Sequence, residues 1–185
     1  EFARGFLNHN FGGIDVVVNN AGVALPGVAE MLSDQSFDTM MATNVGGVRN
    51  MVLAALPALR KSRGNIVNVS SVSGMGGDWA MYGYNASKGA VSLMTQGLAL
   101  DLGKEGIRVN AVAPATTNTR LAAPLRAAPR VSAAMNRRIP MGRLVEPEEV
   151  ASVIAFLAGP DAAFVNGVIL PVDGGLSASN GQPDF

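Results

Sequence analysis

Ser71, Tyr84 and Lys88 are the residues whose types and spacing could do chemistry together. Tyr84 and Lys88 stand at i and i+4, so on a helix they share a face. Ser71 lies thirteen residues earlier and closes the run "GNIVNVSS". That run reads as a strand, and ligands of open α/β sheets bind at the carboxyl ends of strands. A free tyrosine, with a pKa of about 10, is a poor base at neutral pH. A lysine ammonium one turn away, and a helix N-terminus, both favour the phenolate. A tyrosine tuned in this way can exchange a proton with an alcohol or carbonyl oxygen. A nearby serine hydroxyl can hold that oxygen, and any hydride must come from a cofactor. Y-x-x-x-K alone is usually a feature of a surface helix, so the case rests on the combination.

Composition narrows the alternatives. The chain has no cysteine, which excludes disulfides, thiolate chemistry and zinc–thiolate sites and fits a cytoplasmic location. Its one histidine, His9, sits in a polar stretch far from Ser71 and reads as a solvated surface residue. Acid–base work therefore falls to Tyr, Lys, Asp or Glu. Fourteen basic and fourteen acidic residues balance, with no basic run, so nucleic acid is not an expected partner. No apolar run is long enough for a membrane span, and no signal peptide is visible. The length suits one domain over residues 1–185.

The elements that must position the three side chains are legible. Ile14–Gly22, Gly64–Ser71, Gly106–Pro114 and Asn166–Gly175 are short Val/Ile-rich runs, the pattern of parallel strands buried on both faces. Phe37, Met41, Val45, Val48, Val52, Leu56 and Leu59 recur at helical steps and predict one long helix, with Pro57 a possible kink. A second helix starts near Tyr84 and carries Val91, Met94, Leu98 and Leu102. A third is "EPEEVASVIAFLAG", with Pro147 at its first turn and Gly159 at its stop. Residues 115–145 have weak periodicity and read as a mobile substrate loop or lid with short helices. The first ten residues read as the end of a helix, and the tail as a frayed end.

With these elements in place, the sequence resembles the short-chain dehydrogenase/reductase family. The matches are "NNAG" at Asn19–Gly22, Asn44, Ser71, Tyr84-x-x-x-Lys88, Pro114 after "RVNAVA", and "PVDGG" near the end, in the family's order. The resemblance implies an α/β fold, the C-terminal portion of a Rossmann-like doubly wound parallel sheet with helices on both faces. The family's first three strands and its Gly-rich turn have no counterpart, so the expectation is a piece of a longer enzyme, with the strand at 14–20 bared as an apolar sheet edge. It also implies NAD or NADP as cofactor, with NAD favoured. Tyr84 would be the acid/base, Ser71 would polarise the substrate oxygen, and Lys88 would bind the nicotinamide ribose and lower the Tyr84 pKa. Asn44 would hold a relay water. Asn19, Ala21 and Gly22 would border the adenosine, and Pro114, Thr117 and Thr119 the nicotinamide. Pro114 is followed by Ala115 where the family has glycine.

The loop "SVSGMGGDWAMYGYNASKGAV" and the ending "PVDGGLSASNGQPDF" resemble the family's butanediol- and acetoin-converting members. That likeness implies a small alcohol or ketone substrate, a pocket wall from Trp79 and Met81, and a tail reaching a neighbouring subunit around Gln182. A homotetramer or homodimer is implied, paired through the two long helices. Reduction of 3-oxoacyl thioesters, with Arg137 and Arg138 as the one hint of a carrier-protein patch, and oxidation of sugars or polyols are the competing activities. A non-catalytic, oligomer-forming fragment is the reading of a different class.

Overall fold

The computed structural model describes residues 13–182. His9 and the helix end expected before Gly13 lie outside them. Four strands form one parallel sheet in sequence order: β1 (Val16–Asn19), β2 (Asn65–Val69), β3 (Arg108–Pro114) and β4 (Ile169–Val172). All four lie within the runs that the Val/Ile pattern marks. Every neighbouring pair is parallel, so each connection must cross over a face of the sheet.

Helices occupy both faces, as the resemblance implies. The first helical stretch comprises α1 (Asp34–Met40), a π-helical turn (Met41–Gly46) and α2 (Gly47–Ser62). The Ser33 side chain caps its start by accepting from the Ser36 N–H. α3 (Tyr82–Leu102) follows β2. Val52, Ala55 and Leu59 of α2 and Val91 and Ala99 of α3 pack on Val17, Ile66 and Val109 of the sheet. Two short helices, α4 (Ala123–Arg126) and α5 (Pro129–Arg138), fill the 115–145 segment. α6 (Pro147–Ala158) covers the other face, where Val150 and Leu157 meet Val67 and Val112. Pro147 takes the first helical turn, and Glu146 and Glu149 make a reciprocal capping box.

Two expectations need correction. β1 is buried on one face, not two: Val17 and Asn19 are buried, whereas Val16 and Val18 are 39% and 44% exposed. It is an edge strand, and α6 packs on the other three. The long helix is also not uniform. Its π turn inserts an extra residue, so Met40 and Asn44 are buried where regular periodicity predicts Met41 and Val45. From Val48 onward the predicted core positions hold.

Candidate functional site

The site forms where β2 ends against the first turn of α3. Ser71 follows β2 in extended conformation and caps the single helical turn Val72–Gly74, accepting from the Ser73 N–H at 3.1 Å. That turn lies hard against α3. A Cβ on Gly74 would stand 2.6 Å from the carbonyl group of Lys88, so glycine is required by close approach. Ser70 ties the same junction, donating to the Lys88 carbonyl at 3.1 Å and sharing a 2.7 Å hydrogen bond with Ser92. Deeper in the sheet, Asn19 donates to Asn68, which donates to Thr95 of α3. Buried polar groups that are fully bonded in this way fix a single arrangement.

On α3, Tyr84 is the third residue and Lys88 follows one turn later. The Lys88 ammonium is buried, lies 5.8 Å from the centre of the Tyr84 ring, and donates to the Val69 carbonyl at 2.7 Å. No carboxylate pairs with it among the described residues. Burial pushes its pKa down to about 8. Burial also pushes the Tyr84 phenol up; the Ser71 hydroxyl pulls it down and the Asp78 charge adds to the rise. The expected lowering of Tyr84 by Lys88 is therefore not what the structure gives. Desolvation of the phenolate outweighs a lysine that is itself weakened by burial.

Asn44 sits in the π turn, fully buried. Its amide oxygen accepts from the Val23 N–H at 2.8 Å, and its nitrogen donates to the Val23 carbonyl and to Ser87, both at 2.9 Å. The side chain thus clamps the loop after β1 to α3. Gly22 on that loop is exposed, and a Cβ there would stand 3.1 Å from the Asn44 Oδ1 and 3.5 Å from the Lys88 Nζ. Ala21 beside it is exposed as well. Pro114 is buried at the end of β3, and its carbonyl lies 3.5 Å from the Ser71 hydroxyl. Thr117 and Thr119 are half-buried; the Thr117 hydroxyl donates to Ala115, and the Thr119 hydroxyl to Thr117 at 3.4 Å. Met81 precedes α3, half-buried, while Trp79 is 99% exposed and belongs to no core. Gln182 is exposed, as are Arg137 and Arg138 at the end of α5.

Sequence reasoning brought Ser71, Tyr84, Lys88, Asn44 and Gly22 to one place. It missed Ser87 and the Val23 backbone as partners of Asn44. No sequence signal marks them, because the clamp depends on the π turn.

The residues around Lys88 fit a nicotinamide cofactor's ribose. Lys88 has three N–H donors, and one is used in the structure. The Nζ lies 3.5 Å from where a Cβ on exposed Gly22 would stand, an arrangement suited to a vicinal diol such as ribose. The turns that follow β1 to β4 contain no G-x-G-x-x-G stretch, so a pyrophosphate cradle of that kind is absent among the described residues.

The family model described as enoyl-(acyl carrier protein) reductase matches residues 3–177. The chain belongs to the short-chain dehydrogenase/reductase family. It is 46% identical over 173 residues to the meso-2,3-butanediol dehydrogenase of Serratia marcescens, covering 93% of this chain and 68% of that protein. It is 41% identical to a 3-oxoacyl-[acyl-carrier-protein] reductase of Thermotoga maritima, covering 90% of this chain and 67% of that protein. Among solved structures, a gluconate 5-dehydrogenase from Burkholderia cenocepacia in complex with NADP and tartrate superposes with a TM-score of 0.93 at 31% identity, covering 96% of this chain and 70% of that one. The chain thus spans about two thirds of the length of these relatives.

Proposed function

We propose that this chain carries the proton-transfer half of an NAD(P)-dependent oxidoreductase that interconverts a small secondary alcohol and its ketone. The observation that carries this reading is the convergence of Ser71, Tyr84 and the underused Lys88 ammonium beside Gly22. Lys88 would hold the nicotinamide ribose, and Ala21 and Gly22 would flank the dinucleotide, with Asn19 beneath them. Pro114, Thr117 and Thr119 would border the nicotinamide ring. When bound, that cofactor supplies or accepts a hydride.

The chain's own residues do the rest. The Ser71 hydroxyl holds the substrate oxygen. The Tyr84 phenol, kept protonated by burial, gives its proton to a carbonyl oxygen during reduction. In oxidation the same group acts as the phenolate and takes the proton from the alcohol. Asn44 holds the β1 loop against α3 and so fixes the distance between the lip and Lys88. Both of its side-chain N–H groups are taken by Val23 and Ser87, so a relay water would have to use the second lone pair of its Oδ1 or its backbone.

For the substrate, the 46% identity to a butanediol dehydrogenase supports 2,3-butanediol or acetoin, with NAD as the favoured cofactor. Trp79 and Met81 would wall the pocket and residues 115–145 would close it, within a single domain. Exposed Leu53 of α2 and Leu93 and Leu100 of α3 support a homodimer or homotetramer paired through these helices. No helix among the described residues is long and apolar enough to cross a membrane, which accords with a cytoplasmic enzyme.

The test is fluorescence titration with NADH and with NADPH, followed by acetoin, acetoacetyl thioester and hexose assays. Saturable cofactor binding with turnover of acetoin but not of the thioester or the hexose is the expected result. Turnover of the thioester instead would move the substrate to the 3-oxoacyl class. A folded chain that binds neither nucleotide would leave a non-catalytic fragment as its description.

A further inference from the structure

A second set of polar groups leads away from Ser71 into the loop between β2 and α3. The Ser71 hydroxyl donates to the Ser73 Oγ at 3.2 Å, and the Ser73 hydroxyl donates to the Asp78 carboxylate. Ser73 is buried, and its N–H returns to the Ser71 Oγ. Asp78 lies on an exposed loop, yet that loop is pinned at several points. With the Asn85 amide oriented to satisfy both neighbours, its oxygen accepts from the Asp78 N–H at 2.8 Å and its nitrogen donates to Met81 at 3.0 Å. The Ala80 carbonyl accepts from the Gly27 N–H at 2.8 Å. Ala80 itself takes a φ of +57°, a conformation that side-chain-bearing residues adopt only when their surroundings hold them there.

An ionised carboxylate can only accept, so the single hydroxyl hydrogen of Ser73 is committed to Asp78. The Ser73 oxygen then presents lone pairs to Ser71. Ser71 therefore meets Ser73 twice, as acceptor from its N–H and as donor to its oxygen, and its hydroxyl rotor is set from behind. We propose that Ser73 and Asp78 are positioning residues, which fix the Ser71 oxygen beside Tyr84 and hold its hydrogen back until a substrate oxygen competes for it. The proposal rests on the reading that Ser71 and Tyr84 serve one substrate oxygen.

Asp78 has a second effect. The charges that bear on Tyr84 are Lys88, one turn along its own helix, and Asp78 across the loop; Ser71, at the strand end, is neutral. The Asp78 charge disfavours the phenolate and so favours the protonated tyrosine that carbonyl reduction needs.

The chain contains two tyrosines, Tyr82 and Tyr84, so the test can be direct. Ring-labelled ¹³C-tyrosine NMR follows both phenols through a pH titration, and Tyr82→Phe assigns them. In Asp78→Asn the Tyr84 midpoint is expected to shift downward. In Ser73→Ala it is also expected to fall, because the released Ser71 hydroxyl turns toward the phenolate. In a Ser71→Ala background, Ser73→Ala should then have no further effect. Ser73→Thr and Asp78→Glu, which keep the hydroxyl and the charge, should hold the wild-type midpoint and cover any loss of folding in the other variants. An unmoved Tyr84 midpoint in Asp78→Asn, or a Ser73→Ala shift that persists without Ser71, would overturn the proposal. These readouts need no turnover. If every carbonyl substrate fails while the midpoints shift as expected, the proposed function falls and the positioning chain stands.

Discussion

The site around Ser71 and the 115–145 segment are built by different means. On one side, Ser71, Lys88 and Asn44 are each at least nine-tenths buried; Ser71 is held by Ser73, and Lys88 and Asn44 by hydrogen bonds to other elements. On the other side lies the 115–145 segment, whose helices α4 and α5 bury no residue at all. Leu121, Leu125, Val131 and Met141 there are 59%, 43%, 41% and 63% exposed, and it reaches the body through single residues such as Ala122 and Ile139. The first side suits a reaction that demands fixed geometry. The second suits a wall that can be rebuilt without disturbing the chemistry.

The sharpest way to break the comparison is at Tyr84. If the braced side performs the proton transfer, Tyr84→Phe should cut turnover by about 10²–10⁴-fold, the usual worth of a positioned acid or base. Thermal unfolding should stay close to wild type, because the ring is retained. Steady-state rates and a melting curve on one preparation check both halves. A variant within a few-fold of wild type would remove Tyr84 from the reaction.

The second prediction concerns the cost of the braced side. Lys88 is buried without a carboxylate partner among the described residues, and burial lowers its pKa from the ordinary 10.5 to about 8. A depressed lysine binds fewer protons folded than unfolded between those two values. Stability should therefore rise as pH climbs from about 8 to 10.5, and the penalty is in full force below 8. The difference corresponds to a destabilisation on the order of 3 kcal/mol at neutral pH. Lys88→Met should raise the neutral-pH melting temperature, flatten that rise and abolish nucleotide binding. Denaturant melts across the pH range measure it. A variant less stable than wild type at pH 7 would mean that the Val69 hydrogen bond outweighs the burial.

Legibility in the sequence follows the same division. The strands were readable because Val and Ile runs such as Ile66–Val67 have few alternatives to a buried sheet. Tyr84 and Lys88 were readable because a fixed spacing on a helix fixes their common face. The π turn was not, since Met40 and Asn44 are buried by an inserted residue that leaves no trace in composition. The edge position of β1 was expected from the family strands that have no counterpart, but the open face with Val16 and Val18 was not, because a Val-rich strand reads the same whether one face or both are covered. Ser73 and Asp78 looked like loop residues, and their link to Ser71 exists only once the turn at Gly74 folds back on Lys88. The 115–145 segment gave the least, since Ala, Pro and Arg without periodicity define neither a face nor a partner.

The smallest expected effect tests the loose side. Leu125→Ala removes a side chain that is nearly half exposed on α4, so stability should change by no more than about 0.5 kcal/mol. Ile66→Ala, fully buried under α2 and α3, should cost about 2–5 kcal/mol by the same measurement. If the segment supplies the substrate wall, Leu125→Ala should still alter the ratio of kcat/KM between acetoin and a longer ketone, by up to about 10–200-fold, the worth of small apolar contacts in a pocket. The melting curve and the ratio answer separate questions. A large loss of stability would show that α4 is part of the core, and the two sides would no longer differ. An unchanged ratio with unchanged stability would take Leu125 off the wall and shift the search for specificity to Met81 and Trp79, which the pinned 75–81 loop carries on the braced side.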